Sequence, residues 1–248
     1  MTKKNRYYSP IYEDDHLLVL DKAAGVLCIP DRHDIELPSL QGILNKKYGK
    51  IYTVHRLDKQ TSGVMVFAKT EDTHRKLNGL FQQHKTEKKY WVLVQSSNTP
   101  DEGVIDLPIA PHSIIKGKMK VSPKGKASFS RYKTLEKFKQ HRLLEVTIET
   151  GRTHQIRVHL AESGMLLAVD ELYGGGQAIK LSDFKKKYQP NKTGEEKPIL
   201  QRVSLHAKEL SFVHPILDKK FIWDAELPKD MAVTLKLLRK YASNTSES

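Results

Sequence analysis

The sequence predicts an α+β fold built on a mixed, largely antiparallel sheet with flanking helices. Three observations point there. Short alternating apolar runs recur along the chain, a few segments carry capped helical spacing, and the regular strand–helix alternation of a doubly wound sheet is missing. With 248 residues and 28.4 kDa, the chain is long enough to bury a core without disulfide staples.

The elements follow in order. "HLLVLDKAAGVLCI" at 16–29 reads as strand, turn, strand, a hairpin-like start. In "PSLQGILNKKYG", Leu40, Ile43 and Leu44 share a helical face behind Ser39 as a cap, with Gly49 at the stop. "GVMVFAK" is a strand pattern. "TEDTHRKLNGLFQQHK" places Leu77, Leu80, Phe81 and His84 at helical spacing behind Thr70 and two acids. "KKYWVLVQ" is a short strand ended by the turn-rich "SSNTPDEG". "IIKGKMKVSPKGKAS" spaces Lys116, Lys118, Lys120, Lys124 and Lys126 among Gly and Pro without an acid, which predicts an exposed basic loop or edge hairpin. "SRYKTLEKF" and "HRLLEVTIETG" alternate as antiparallel strands. Residues 176–200 lack periodicity and are rich in lysine, so a flexible surface insertion is expected there. Two strand patterns, "VSLHAKELSFVHP" and "KKFIWDAELP", precede a closing helix in "DMAVTLKLLRKYA". No repeat period is present.

Composition narrows the function classes. Lysine and arginine exceed aspartate and glutamate by 42 − 29 = 13. Such an excess favours a polyanionic partner, because neutralising phosphates releases counterions; the competing reading is a basic but uncommitted surface. The lone Cys28, set in "GVLCIP", reads as a buried thiol rather than a nucleophile, and one cysteine forms no internal bridge. Neither a signal-peptide core nor a run of the ~20 apolar residues of a membrane span is present, so a soluble cytoplasmic protein is expected.

Three constellations carry candidate chemistry: Arg56 with Asp58 in "HRLDKQTSG", Lys89-Tyr90 at a strand start, and Arg152, His154, Gln155, Arg157 and His159 in "GRTHQIRVHL". An arbitrary Arg-x-Asp is a surface ion pair of ~0–1 kcal/mol. Here Thr61, Ser62 and Gly63 follow, and hydroxyls with a glycine at the head of a strand let backbone approach a ligand, where an ionised aspartate acts as a nucleophile. Alternation in the third stretch predicts a strand with Gln155, Arg157 and His159 on one face and Ile156, Val158 and Leu160 on the other. An Arg157 guanidinium meeting Asp58 would hold that carboxylate ionised and oriented. His154 and His159 as metal ligands is the weaker reading, since neither a cysteine pair nor a His-Glu-x-x-His pattern accompanies them. Tyr90 and Trp91 point to opposite faces of a strand, so one packs while the other can face a cleft and stack on a base.

"HRLDKQTSG" resembles the signature of the RluA-type pseudouridine synthases, in the form lacking the N-terminal S4-like domain. "GRTHQIRVHL" is similar to that family's later arginine-bearing motif, Tyr90 in "EKKYWVLV" falls at its active-site tyrosine, and "LYG" at 172–174 and "LHAKELSFVHP" at 205–215 resemble further segments. The resemblance runs from about residue 11 to 228. It implies one catalytic domain over 1–248 with a cleft across the sheet, a basic insertion at about 176–200 and a C-terminal helix at about 229–242. The implied reaction isomerises a uridine of tRNA or 23S-type rRNA to pseudouridine.

Carried onto this chain, the resemblance makes Asp58 the nucleophile, Tyr90 the base-stacking and proton-handling residue and Arg157 the partner of the aspartate. His55, Arg56, Thr61, Ser62, Gly63, Arg152, His154 and Gln155 are expected around the substrate. Lys116, Lys118, Lys120 and Lys124 are expected on RNA phosphates. Uracil leaves C1′, turns and rejoins through C5, so nothing is oxidised and no group is imported; neither cofactor nor metal is expected. The target nucleotide is expected to flip out, its unstacking offset by phosphate contacts and by stacking on Tyr90. The first family-like strand begins near residue 11, leaving no room for the additional N-terminal domain of many relatives. A compact RNA such as a tRNA stem-loop is thereby favoured. Val169 and Asp170 stand where relatives often show Gly-Asp, which puts the local turn in question. A monomer without obligate protein partners is the default. The competing readings are a catalytically silent RNA-binding protein on the same scaffold and an aspartate-dependent hydrolase of a small phosphorylated substrate; the second needs metal-binding carboxylates near Asp58 that the sequence does not supply.

Overall fold

The computed structural model describes residues 6–95, 98–185, 188–189 and 195–243. Among them the elements run β1 (Tyr8–Glu13), β2 (Leu17–Lys22), α1 (Leu40–Tyr48), β3 (Tyr52–Thr53), β4 (Ser62–Ala68), α2 (Glu71–Gln82), β5 (Glu87–Gln95), β6 (Glu102–Asp106), β7 (Ile109–Pro111), β8 (Met119–Val121), β9 (Phe129–Lys137), β10 (His141–Ile148), α3 (Gln155–Glu162), β11 (Leu205–Val213), β12 (Lys220–Asp224) and α4 (Lys229–Tyr241). The class is α+β, with a large, mostly antiparallel sheet and, among the described residues, four α-helices. The chain divides into two compact units, Met1–Tyr90 with His206–Glu226, and Trp91–Leu205 with Leu227–Ser248.

In the first unit β2 pairs antiparallel with β1 and β4, β3 pairs antiparallel with β4, and β11 pairs antiparallel with β12. All seven residues of β4 are buried, so it reads as a continuous apolar run, as a strand covered on both faces does. The parallel register of β11 with β4 aligns His206 with Ser62 and Ala207 with Gly63. Both helices of this unit start as their sequences require: Ser39 accepts from the Gly42 N–H at 3.2 Å and Thr70 from the Thr73 N–H at 3.2 Å. These caps satisfy backbone donors that a helix start leaves without partners. Leu40 and Leu44 are the buried face of α1, and Thr73 and Leu77 that of α2.

The opening hairpin differs from the sequence reading. Its two strands are β1 and β2, turned by Asp14, whose Oδ1 accepts from the N–H groups of His16 and Leu17. The expected second strand at "VLCI" is not one: Leu27 makes only an isolated bridge to Ser39, and the Cys28 carbonyl accepts from Gln41 N–H. This stretch is spent on holding α1 and the loop before β4.

In the second unit β9 lies between β10 and β6, antiparallel to both. The strands β7 and β8 form a separate hairpin that pairs Ile109 with Val121, Ala110 with Lys120 and Pro111 with Met119. This is the expected basic hairpin, and Lys116, Lys120, Lys124 and Lys126 are exposed on it. The core of this unit gathers Leu93, Phe138, Leu143, Val169, Ile179 and Leu200 against Met231, Leu235 and Leu238 of α4. Within the expected insertion, Ile179 and Leu200 are buried and bridge each other; residues 186–187 and 190–194, where the flexible-insertion reading also falls, lie outside the described residues.

The largest departure is "GRTHQIRVHL". Residues Gln155–Glu162 form helix α3, not a strand. Six consecutive residues, Gln155 to Leu160, are buried. A helix covered on all sides loses the solvent face that gives 3.6-residue spacing its signal, and the remaining polar–apolar alternation imitates a strand.

Gly63 shows how little room the first unit leaves. Its φ is +118°, and a Cβ there would lie 2.2 Å from the Ala207 carbonyl oxygen. Gly63→Ala meets both left-handed strain and a clash with strand backbone, so a loss of about 3 kcal/mol or more is expected. A denaturant titration checks it, and a loss below ~1 kcal/mol would show that β4 and β11 can part at no cost.

Candidate active site

The loop carrying Asp58 is held from beneath by the segment that follows β2. Lys22 is wholly buried, and its ammonium donates to the carbonyls of Ala23 at 2.9 Å, Lys59 at 3.2 Å and Thr61 at 2.7 Å. Three donors on one nitrogen suit three carbonyls, and two of these belong to residues just after Asp58. The Gly25 N–H adds a bond to the Lys59 carbonyl at 2.7 Å. On the other side of Asp58, the buried Cys28 thiol donates to the Leu57 carbonyl at 3.1 Å and accepts from the Leu57 N–H at 3.3 Å. The Asp58 carbonyl itself accepts from Thr61 N–H at 3.1 Å, closing a turn. The peptide before the aspartate and those after it are therefore both fixed, while Asp58 as a residue is only half-buried.

Neighbouring residues of the motif divide into anchors and exposed groups. The His55 ring stacks on Phe81 at 4.9 Å, and its Nε2 accepts from Val66 N–H at 3.1 Å. Burial, and secondarily the nearby Lys88 ammonium, pushes the imidazole down to about 3, so this ring is neutral at pH 7. Ser62 bonds His206 Nδ1 at 2.9 Å, tying β4 to β11. The Thr61 hydroxyl is buried and makes no hydrogen bond among the described residues. The close approach that Gly63 permits in the fold is to Ala207. Arg56 is exposed.

Tyr90 stands on β5 in the same unit and is buried. Burial, followed by the negative charge of Asp58, raises its phenol above the ordinary tyrosine value. The two groups thus lie close enough for charge to matter, and the phenol keeps its proton through the neutral range. One unit thus holds a carboxylate and a neutral phenol, residue types suited to nucleophilic chemistry with proton management. Burial also raises the Cys28 thiol, which suits an anchor.

In the second unit, α3 carries the remaining candidates. Its Arg157 is buried and makes a two-point pair with Asp170, Nε to Oδ2 at 2.6 Å and Nη2 to Oδ1 at 2.8 Å. Such a fork fixes the guanidinium plane. Asp170 also accepts from Leu172 N–H at 3.2 Å, and its carbonyl takes the N–H groups of Tyr173 and Gly175, so the turn at Val169-Asp170 closes. Gln155 is an organiser: its Oε1 accepts from the Thr150 hydroxyl at 2.7 Å and Arg152 N–H at 3.0 Å, and its Nε2 donates to the Phe129 carbonyl at 2.9 Å. His159 is engaged by Ser130 Oγ and the Leu107 carbonyl, both at 2.9 Å. His154 has φ +55° and bonds Tyr173 through Nδ1 at 2.9 Å. Exposed Arg152 donates to the Ala127 carbonyl at 3.2 Å. These partners place the two histidines in separate hydrogen-bond systems.

Sequence reading missed Lys22, Asp170 and Tyr173. Lys22 sits in a "DKAAG" turn pattern, where lysine is ordinarily solvated. Asp170 was visible only as a departure in a turn, and Tyr173 only as one letter of "LYG".

Comparison with known proteins places the chain. A model of the RNA pseudouridylate synthase family matches residues 16–162. The ribosomal large subunit pseudouridine synthase D of Nitrosomonas europaea is 36% identical over 235 residues, covering 92% of this chain and 64% of that protein. The protein of the same name from Pseudomonas aeruginosa is 37% identical, covering 93% and 71%. The chain thus spans about two thirds of these relatives' length. Among solved structures, human RNA pseudouridylate synthase domain containing 4 matches with a TM-score of 0.72 at 26% identity over 93% of both chains. The chain accordingly belongs to the RNA pseudouridylate synthase family of uridine-to-pseudouridine isomerases.

Proposed function

We propose that this chain isomerises a uridine of large-subunit ribosomal RNA, with Asp58 as the nucleophile. The observation that carries the reading is a backbone-clamped Asp58 in the same unit as the buried Tyr90, whose phenol is raised by burial and then by the charge of Asp58. The names of the relatives support ribosomal RNA; transfer RNA is the competing substrate, to be distinguished by mapping.

In this reading Asp58 supports the ribose or base while the C1′–N1 bond breaks, the uracil turns, and C5 bonds to C1′. The proton leaving C5 goes to solvent and N1 gains one, so the product is an isomer. Tyr90 is the donor that manages a proton and, once the chain holds RNA, a wall for the displaced base. Arg157, its plane set by Asp170, keeps in this reading the role that the motif resemblance gives it, electrostatic partner of the nucleophile. Arg56 and the exposed lysines of the β7–β8 hairpin bind phosphates. The target uridine reaches Asp58 by flipping out of its helix.

Four outcomes test this. Asp58→Asn should abolish turnover, measured as tritium release from a transcript labelled at uridine C5, while RNA affinity stays within a few-fold; retained turnover removes Asp58 from the role. Pseudouridine mapping of cellular RNA with wild type or Asp58→Asn then identifies the substrate.

Neutralising Lys116, Lys120 and Lys124 together should lessen the slope of log affinity against log salt by about 2, from ~0.7 per single-strand phosphate contact. An unchanged slope excludes the hairpin from RNA.

Because burial and Asp58 raise the Tyr90 phenol, the rate should show no downturn owed to Tyr90 as pH passes about 10, the usual tyrosine value. A downturn there that disappears in Tyr90→Phe would mean that the phenol ionises early.

A further inference from the structure

Tyr173 is not accounted for by the roles above, yet four residues converge on it from two parts of the second unit, the β7–β8 hairpin and the start of α3. Its hydroxyl accepts from the Met119 N–H at 2.8 Å, at the first residue of β8, and shares a second hydrogen bond with His154 Nδ1 at 2.9 Å. Its ring lies under the Arg157 guanidinium at 4.9 Å and under the Lys118 ammonium at 5.4 Å. The His154 ring meets it edge-on, with centroids 5.6 Å apart and planes at 89°. One half-buried side chain therefore touches both the basic hairpin and the helix that carries the arginine.

The chemistry of each contact is directional. A phenol has one proton and two acceptor sites, which suits one backbone donor and one imidazole nitrogen. A tyrosine face attracts a guanidinium and an ammonium through its quadrupole, more strongly where water is excluded. Arg157 is then fixed twice, by Asp170 in its plane and by Tyr173 against its face. His154, in a left-handed conformation at the start of α3, is a residue whose backbone persists only when its surroundings hold it; Tyr173 supplies part of that hold.

We infer that Tyr173 is a positioning residue that couples RNA engagement at the β7–β8 hairpin to the placement of Arg157. This rests on the proposed roles of the hairpin and of Arg157. When phosphates draw on the hairpin lysines, Met119 and Lys118 move or stiffen with it, and Tyr173 passes that constraint to the guanidinium and to His154. Hairpin contacts thereby contribute to turnover as well as to affinity.

Tyr173→Phe removes both hydroxyl bonds and keeps the ring under Arg157. With full-length protein and a large-subunit rRNA transcript labelled at uridine C5, kcat is expected to fall about ten-fold, the equivalent of one lost hydrogen bond, with KM changed less than three-fold. In wild type, neutralising Lys116, Lys120 and Lys124 should lower kcat as well as raise KM; in the Tyr173→Phe background it should raise KM alone. An unchanged kcat in Tyr173→Phe, or the same kcat loss from lysine neutralisation in both backgrounds, overturns the coupling while leaving the proposed function standing. Absence of turnover by wild type on both ribosomal and transfer RNA overturns the proposed function instead. Amide exchange is then decisive for the contact itself: Tyr173→Phe should speed exchange both at Met119 and over 155–158 without shifting the melting transition of the rest, and faster exchange at only one of the two overturns the linkage.

Discussion

A buried ammonium under the loop that carries Asp58 is an expensive choice, because a charge removed from water must find compensation in fixed dipoles. Lys22 finds it in the carbonyls of Ala23, Lys59 and Thr61. Once that compensation is built in, the loop has little freedom: moving Lys59 or Thr61 away would strand the charge. The anchoring extends outward. Thr61 leads to Ser62, which bonds His206, and to Gly63, which admits the Ala207 backbone at a distance no side chain allows. The Cys28 thiol holds Leu57 on the other side. Asp58 stands between these points as a half-buried residue on a rigid support. Placing reactive groups on supports whose own geometry is over-determined is how sites obtain preorganisation.

The second unit uses the same principle with different groups. The buried fork between Arg157 and Asp170 replaces a solvated charge by a planar, two-point pair. Gln155 spends its amide on Thr150, Arg152 and Phe129, so the approach to α3 is held by side-chain bonds where a simple hydroxyl cap is lacking. Polar residues in this helix serve protein partners, and this explains why they cluster in a buried segment.

That also explains which features were legible in the sequence. Amphipathic elements declare themselves: the Ser39 and Thr70 caps, the faces of α1 and α2, the β9–β10 pair and the basic hairpin all lie where alternation and capping residues put them. Asp58 and Tyr90 were singled out through motif resemblance, and the structure places the first on a backbone-clamped loop and the second on β5. The strand assigned to "GRTHQIRVHL" failed because its Ile, Val and Leu spacing is compatible with period two, while burial on every side removed the competing helical contrast. Lys22, Asp170 and Tyr173 were hidden for a related reason. Their importance comes from partners 39, 13 and 54 residues away in sequence, and a local pattern carries no record of such distances.

The chain's single cysteine offers a use beyond its structural part. Its thiol is 4% exposed, bonded to both polar groups of Leu57, and lies 3.4 Å from the Met65 sulfur. Burial disfavours the thiolate on which alkylating reagents depend. A thiol reagent therefore gains access only when the support beneath the aspartate opens, and the rate of modification measures that opening directly. The fold carries its own built-in reporter of how often the platform under Asp58 comes apart, readable in the unlabelled, unmutated protein.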